Sequence, residues 1–178
     1  MRFITTRLQD VRLIEMDPIS DQRGHFARTF CAREFAEAGL VTQYVQHSFS
    51  HTLVAGTVRG MHFQQAPDEE VKVVRCLTGS IYDVLIDLRP FSSTYMKWEA
   101  FELSGGDNRQ IYIPPGMAHG FQTSAPATTV GYMMSAFYSP AAAAGFRHDD
   151  PAFKIDWPLA VTEISDRDRS WPDFHLEP

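Results

Sequence analysis

The sequence predicts an all-β fold, a sandwich or barrel of short strands, on three observations. Short runs rich in β-branched and aromatic residues recur along the chain, turn residues punctuate them, and only one segment carries helical spacing. The first run is Val11 to Ile19, closed by Pro18 and Asp21. At Cys31 to Ala38, Ala32, Phe35 and Ala36 fall near helical spacing and Gly39 supplies a stop, which predicts one short helix. Thr57 to Gln64 runs to the turn Ala66-Pro67-Asp68, Val71 to Leu77 to Thr78-Gly79-Ser80, and Ile81 to Leu88 to Arg89-Pro90. Lys97 to Leu103 precedes Gly105-Gly106-Asp107-Asn108, and Arg109 to Ile113 precedes Pro114-Pro115-Gly116. Thr128 to Tyr138 is the last run. From Asp149 onward, Trp157-Pro158 and Trp171-Pro172 read as irregular chain packed on the sheet through its aromatics. No linker divides the chain, so one domain over 1–178 is expected.

With 178 residues, 44% hydrophobic and 21% charged, such a domain buries roughly 70% of its unfolded surface and needs no disulfide or metal for stability. The net charge of -6 argues against sequence-independent nucleic-acid binding, which requires a basic field. Among the 16 basic residues only Lys72, Lys97 and Lys154 are lysines, a skew toward the guanidinium that grips phosphate bidentately. Cys31 and Cys76 lack metal-ligand spacing and suit a reducing compartment. Met1 to Met16 has no continuous apolar centre and Val130 to Phe146 is broken by Ser135, Ser139 and Pro140. A cytoplasmic protein without signal peptide or membrane span is therefore expected.

Several polar residues stand out against this β pattern. Strand alternation puts His62 on the parity of Val58 and Gln64, opposite Arg59, Met61 and Phe63. His62 reads either as a hydrogen-bonded core histidine or as a functional one, and it shares a cavity with Arg59 only if Gly60 bends or bulges the strand. Lys72 has the parity of Val74 and Cys76, and is either an edge-strand charge that discourages aggregation or a cation for a ligand. Tyr132 and Tyr138 share parity on the last run, as core aromatics or with one hydroxyl as proton donor. Ser165 to Arg169 reads as a solvated charge run, or as a tail folding back to supply an acid that fixes a base histidine. Asp21 to Phe26 is a polar turn, or a phosphate grip by Arg23 backed by a flat aromatic. Pro114 to Gly120 contains P-x-G-x-x-H ending at His119, which matches the second motif of cupin jelly rolls. Metal-binding cupins add an H-x-H pair, whereas this chain has His62-Phe63-Gln64, so the ligand set is incomplete and no metal is expected.

Taken together, Asp21 to Phe26, Arg59 to Gln64, Lys72 to Arg75, Asn108 to Gln110, Pro114 to Phe121 and Asp156 to Pro158 resemble the dTDP-4-dehydrorhamnose 3,5-epimerase family over nearly the whole chain. The resemblance implies a cupin-like jelly-roll barrel, usually a homodimer, with no metal or other cofactor. It implies epimerisation at C3, at C5 or at both of a nucleotide-linked 4-keto-6-deoxy sugar. By it His62 looks like the general base, Asp168 its orienting acid, Lys72 the enolate stabiliser and Tyr132 the opposing proton donor. Arg23 and Arg59 resemble diphosphate ligands, Phe26 and Tyr138 packing residues near nucleotide and sugar, and Gln46, Ser48 and His119 polar contacts. Arg28 stands where the family commonly has an acid, and Ser48 where it has an Asn. Two other functions compete: a metal-dependent cupin enzyme using His62, His119 and Gln64, and a non-catalytic nucleotide-sugar binding module.

Overall fold

The computed structural model describes residues 1–175, and the last positions of the expected domain, 176–178, lie outside the described residues. In chain order the elements begin with strands β1 (Arg2–Thr5), β2 (Arg12–Glu15), β3 (Ile19–Asp21) and β4 (Gly24–Phe26), then helix α1 (Ala32–Glu37). Strands β5 (Gln46–Thr52), β6 (Val58–Gln64), β7 (Lys72–Thr78), β8 (Ser80–Asp87), β9 (Trp98–Ser104) and β10 (Arg109–Ile113) follow. Strands β11 (Met117–Thr123), β12 (Thr128–Met134) and β13 (Ala143–Gly145) precede the short helix α2 (Asp166–Ser170).

Two antiparallel sheets carry the fold, one ordered β1-β2-β10-β7-β12-β5 and the other β13-β6-β11-β8-β9, while β3 and β4 pair as a separate hairpin. Alternation along each strand divides the apolar residues among three layers. Val74, Cys76, Ile111, Ile113 and Val130 of the first sheet meet Leu85, Leu103, Met117 and Phe121 of the second between the sheets. Outside the first sheet, Val73 and Tyr112 are covered by Phe35 of α1. Outside the second, Met61, Val84 and Ile86 are covered by the C-terminal segment through Phe146, Phe153, Trp157 and Phe174. No helix among the described residues is long and apolar enough to cross a membrane.

The expected helix is present between Cys31 and Ala38, and Gly39, at φ +71°, ends it by donating to the Ala36 carbonyl. The run Val11 to Ile19 is not one strand. β2 lies between β1 and β10, so the missing N–H of Pro18 cannot sit in its ladder, and Ile19 joins the hairpin instead. The run Thr128 to Tyr138 leaves the ladder after Met134, and the Tyr138 N–H donates to Gln46 Oε1 at 2.6 Å, so Tyr132 and Tyr138 do not share a strand face. Lys72 lies on β7, an interior strand between β10 and β12, which rules out the edge-strand role.

Candidate active site

A cavity of about 580 Å³ opens between the two sheets, walled by Ser50 of β5, Arg59 and His62 of β6, Lys72 of β7, His119 and Phe121 of β11 and Tyr132 of β12. The tail closes one side with Ile164, Ser165, Arg167 and Asp168. Regular alternation would place Arg59 and His62 on opposite faces. Gly60 removes that restriction: it adopts φ +130°, and the β6–β11 register shifts between His119 and Phe121. The two strands approach so closely here that a Cβ on Gly60 would lie 2.5 Å from the Gly120 Cα.

His62 and Asp168 form the closest polar pair of the cavity, with Nε2 2.6 Å from Oδ1. The other carboxylate oxygen accepts the Gly60 N–H at 3.1 Å. Asp168 arrives from the tail because Ile164 bridges to Val58 and the Ser165 hydroxyl caps α2 by accepting the Asp168 N–H. Burial pushes the Asp168 carboxyl up, but hydrogen bonds from His62, Gly60 and Ser165 outweigh it and hold the group below its ordinary value. The carboxylate stays ionised and faces the imidazole.

Tyr132 is enclosed on the opposite sheet, where its hydroxyl lies 2.9 Å from Ser50 Oγ. Burial pushes the phenol up to about 12, against a lowering contribution from Ser50. At neutral pH it is a proton donor rather than a base. Lys72 Nζ lies 3.0 Å from Glu70 Oε1, both side chains largely buried. Arg59 is held by Thr52 Oγ1 at 3.0 Å and the His51 carbonyl at 3.3 Å, with its guanidinium at the cavity wall. An imidazole, a phenol and an ammonium thus share one chamber, with Arg59 and Arg167 supplying further positive charge.

The remaining sequence candidates divide. His119 lines the cavity but is paired with Asp83 Oδ1 at 2.7 Å, so one ring nitrogen is engaged by the protein. Tyr138 lies in an adjoining side cavity and its hydroxyl accepts from Arg167 at 3.3 Å. Gln46 holds the Tyr138 backbone and does not line the central cavity. Ser48 pairs with Tyr132 across β5 and β12 but lines a different cleft, with Arg75 and Gln110. Arg23 and Phe26 sit on the hairpin and do not line this chain's cavity; there Arg23 pairs with Asp21 and Phe26 is 70% exposed. The hairpin is not folded over its own barrel, and within one chain these two residues do not join the site.

Sequence reasoning missed Asp83, Ser50, Glu70 and Arg167. Asp83 shares the inward parity of Ile81 and Leu85, so the reasoning applied to Lys72, a charge on an apolar strand face, would have found it. The metal set of His62, His119 and Gln64 does not assemble. Gln64 is spent on the carbonyls of Asp68 and Phe137 and on the Ser139 N–H. Among the described residues no three His, Cys, Asp or Glu side chains form a metal-holding group.

Comparison with known proteins shows what the whole chain is similar to. Residues 5–175 match the family model described as dTDP-4-dehydrorhamnose 3,5-epimerase. The dTDP-4-dehydrorhamnose 3,5-epimerase of Methanothermobacter thermautotrophicus is 39% identical, covering 99% of this chain and 96% of that protein. A dTDP-4-dehydrorhamnose 3-epimerase of Streptomyces niveus is 35% identical, covering 95% and 82%. The crystal structure of the 3,5-epimerase of Bacillus anthracis, with TDP and pyrophosphate bound, superposes with a TM-score of 0.94 at 35% identity, covering 97% of this chain and 99% of that one.

Proposed function

The chain belongs to the dTDP-4-dehydrorhamnose 3,5-epimerase family, a cupin-like jelly roll, and on that premise we propose that it epimerises C3 and C5 of a dTDP-linked 4-keto-6-deoxy sugar. The observation that carries this reading is that His62, Lys72 and Tyr132 line one cavity, imidazole and phenol on opposite sheets. A hydrogen on a carbon beside a ketone is removed when a base meets it and a cation stabilises the resulting enolate. His62 takes that proton, and Asp168 stabilises the imidazolium. Lys72 donates to the oxygen that becomes the enolate. Tyr132 then protonates the carbon from the other face, which inverts it, and exchange with solvent returns a proton to the phenolate and removes one from His62. Arg59 and Arg167 hold the diphosphate, and Phe121 packs against the bound nucleotide sugar.

Two copies complete the site. The exposed hairpin carries Ile19 and Phe26, and the outer face of the first sheet presents Phe49 and Leu77 beyond the cover of α1. Such an apolar face suits a second copy of the same chain. The hairpin of one copy then brings Arg23 and Phe26 to the cavity of the other.

The test is the configuration of the product. Incubation with dTDP-4-keto-6-deoxyglucose, followed by reduction and NMR of the released sugar, is expected to show inversion at both carbons. Inversion at C3 alone marks a 3-epimerase, and unchanged substrate contradicts the reading.

A further inference from the structure

Beside the main chamber lies a side cavity of about 210 Å³ that shares His62, Lys72 and Arg167 with it. Part of its polar lining is already committed. Gln64 is committed to backbone groups, and the Tyr138 hydroxyl already accepts from Arg167. Ala143 and Ala144 of β13 form an apolar wall with short side chains, so the space is left open. Glu70 is the one carboxylate among the described residues that line it.

Glu70 is held in place from the backbone. Val71, its neighbour, is buried, donates its N–H to the Ser135 hydroxyl at 2.8 Å and accepts the Ser135 N–H at 3.0 Å. Glu70 and Lys72 therefore enter β7 on one parity and point to the same side, with Oε1 against Nζ. The ammonium has three donors and gives one to Glu70, leaving others for a ligand oxygen. The carboxylate accepts at two oxygens and gives one to Lys72.

We propose that Glu70 is a specificity-determining residue whose carboxylate accepts a hydrogen bond from a hydroxyl of the hexose while the adjoining Lys72 holds its keto oxygen. The inference rests on the epimerase reading above and adds to it a requirement for a sugar hydroxyl beside the reacting centre. A deoxygenated sugar leaves Glu70 without that donor and loses transition-state binding.

The experiment measures kcat/KM for deuterium uptake from D₂O at the carbons flanking the ketone. Wild type, Glu70→Ala and the isosteric Glu70→Gln are each assayed with dTDP-4-keto-6-deoxyglucose and with its 2-deoxy and 3-deoxy counterparts. Glu70→Ala is expected to lose about 10- to 100-fold on the parent sugar, and Glu70→Gln less. On one deoxy analogue wild type is expected to lose as much, and the variants nothing further. If the penalty of both variants is the same on the parent and on both analogues, Glu70 acts only on Lys72 and the inference is overturned. A wild type without uptake on the parent sugar would instead remove the epimerase reading itself.

Discussion

The Nε2 of His62 and the Oδ1 of Asp168 lie 2.6 Å apart although 106 residues separate them in the chain. One comes from the middle of a sheet and the other from a tail that returns to it. Ser165 caps the turn that carries Asp168, and the Gly60 N–H fixes the second carboxylate oxygen. The pair makes a histidine whose tautomer and orientation are set before substrate arrives.

Replacing Asp168 by Asn is expected to lower kcat roughly 10²–10⁴-fold while the protein stays folded. The carboxyl is held below its ordinary value, so its contribution to stability is complete above about pH 4 and is lost as pH falls through the depressed value. Melting temperatures of wild type and Asp168→Asn, measured from neutral pH downward, are therefore expected to converge in acid.

Tyr132→Phe separates the two halves of the reaction. Deuterium uptake through His62 is expected to survive, whereas inversion falls roughly 10²–10⁴-fold for want of a donor on the far face. The phenol, pushed up to about 12, also remains protonated past about pH 10, the ordinary tyrosine value, so ionisation of Tyr132 lowers the wild-type rate only above that pH.

Gly60→Ala tests the bulge that turns Arg59 and His62 into one chamber. An alanine at φ +130° is strained, and its methyl meets the Gly120 Cα at 2.5 Å. A loss of about 2 kcal/mol or more is expected in chemical denaturation, with activity falling further than stability because β6 must move.

These sites differ in how far the sequence reveals them. β7, β8, β9 and β10 carry apolar residues toward the space between the sheets and are legible as runs. β5 is not, because Gln46, Ser48, Ser50 and Thr52, which share one parity, are all polar, and Ser50 faces the cavity rather than the core. The condition that Gly60 bend its strand was legible as a requirement. That Lys72 is interior rather than at an edge was not, since strand order depends on pairing between distant segments. The Asp168 partnership rests on the tail's path along β6, which composition does not encode. Family likeness assigns Arg23 and Phe26 to the pocket, and one chain alone leaves them outside it.

Complementation between inactive copies tests that separation. On the proposed two-copy site, Arg23→Ala and His62→Ala are each expected to lose activity on their own. Unfolded and refolded together, they are expected to regain roughly a quarter of the wild-type rate, since half of the dimers are mixed and one of their two sites is intact. No recovery would place Arg23 with its own chain's cavity.

The most direct measurement of the central claim is the exchange of hydrogen beside the ketone. Wild type and His62→Ala are incubated in D₂O with dTDP-4-keto-6-deoxyglucose and followed by proton NMR. Loss of the C3 and C5 signals with wild type, slowed roughly 10²–10⁴-fold in His62→Ala, is the predicted result. Equal exchange in both proteins, or none in a folded wild type, would contradict His62 as the base.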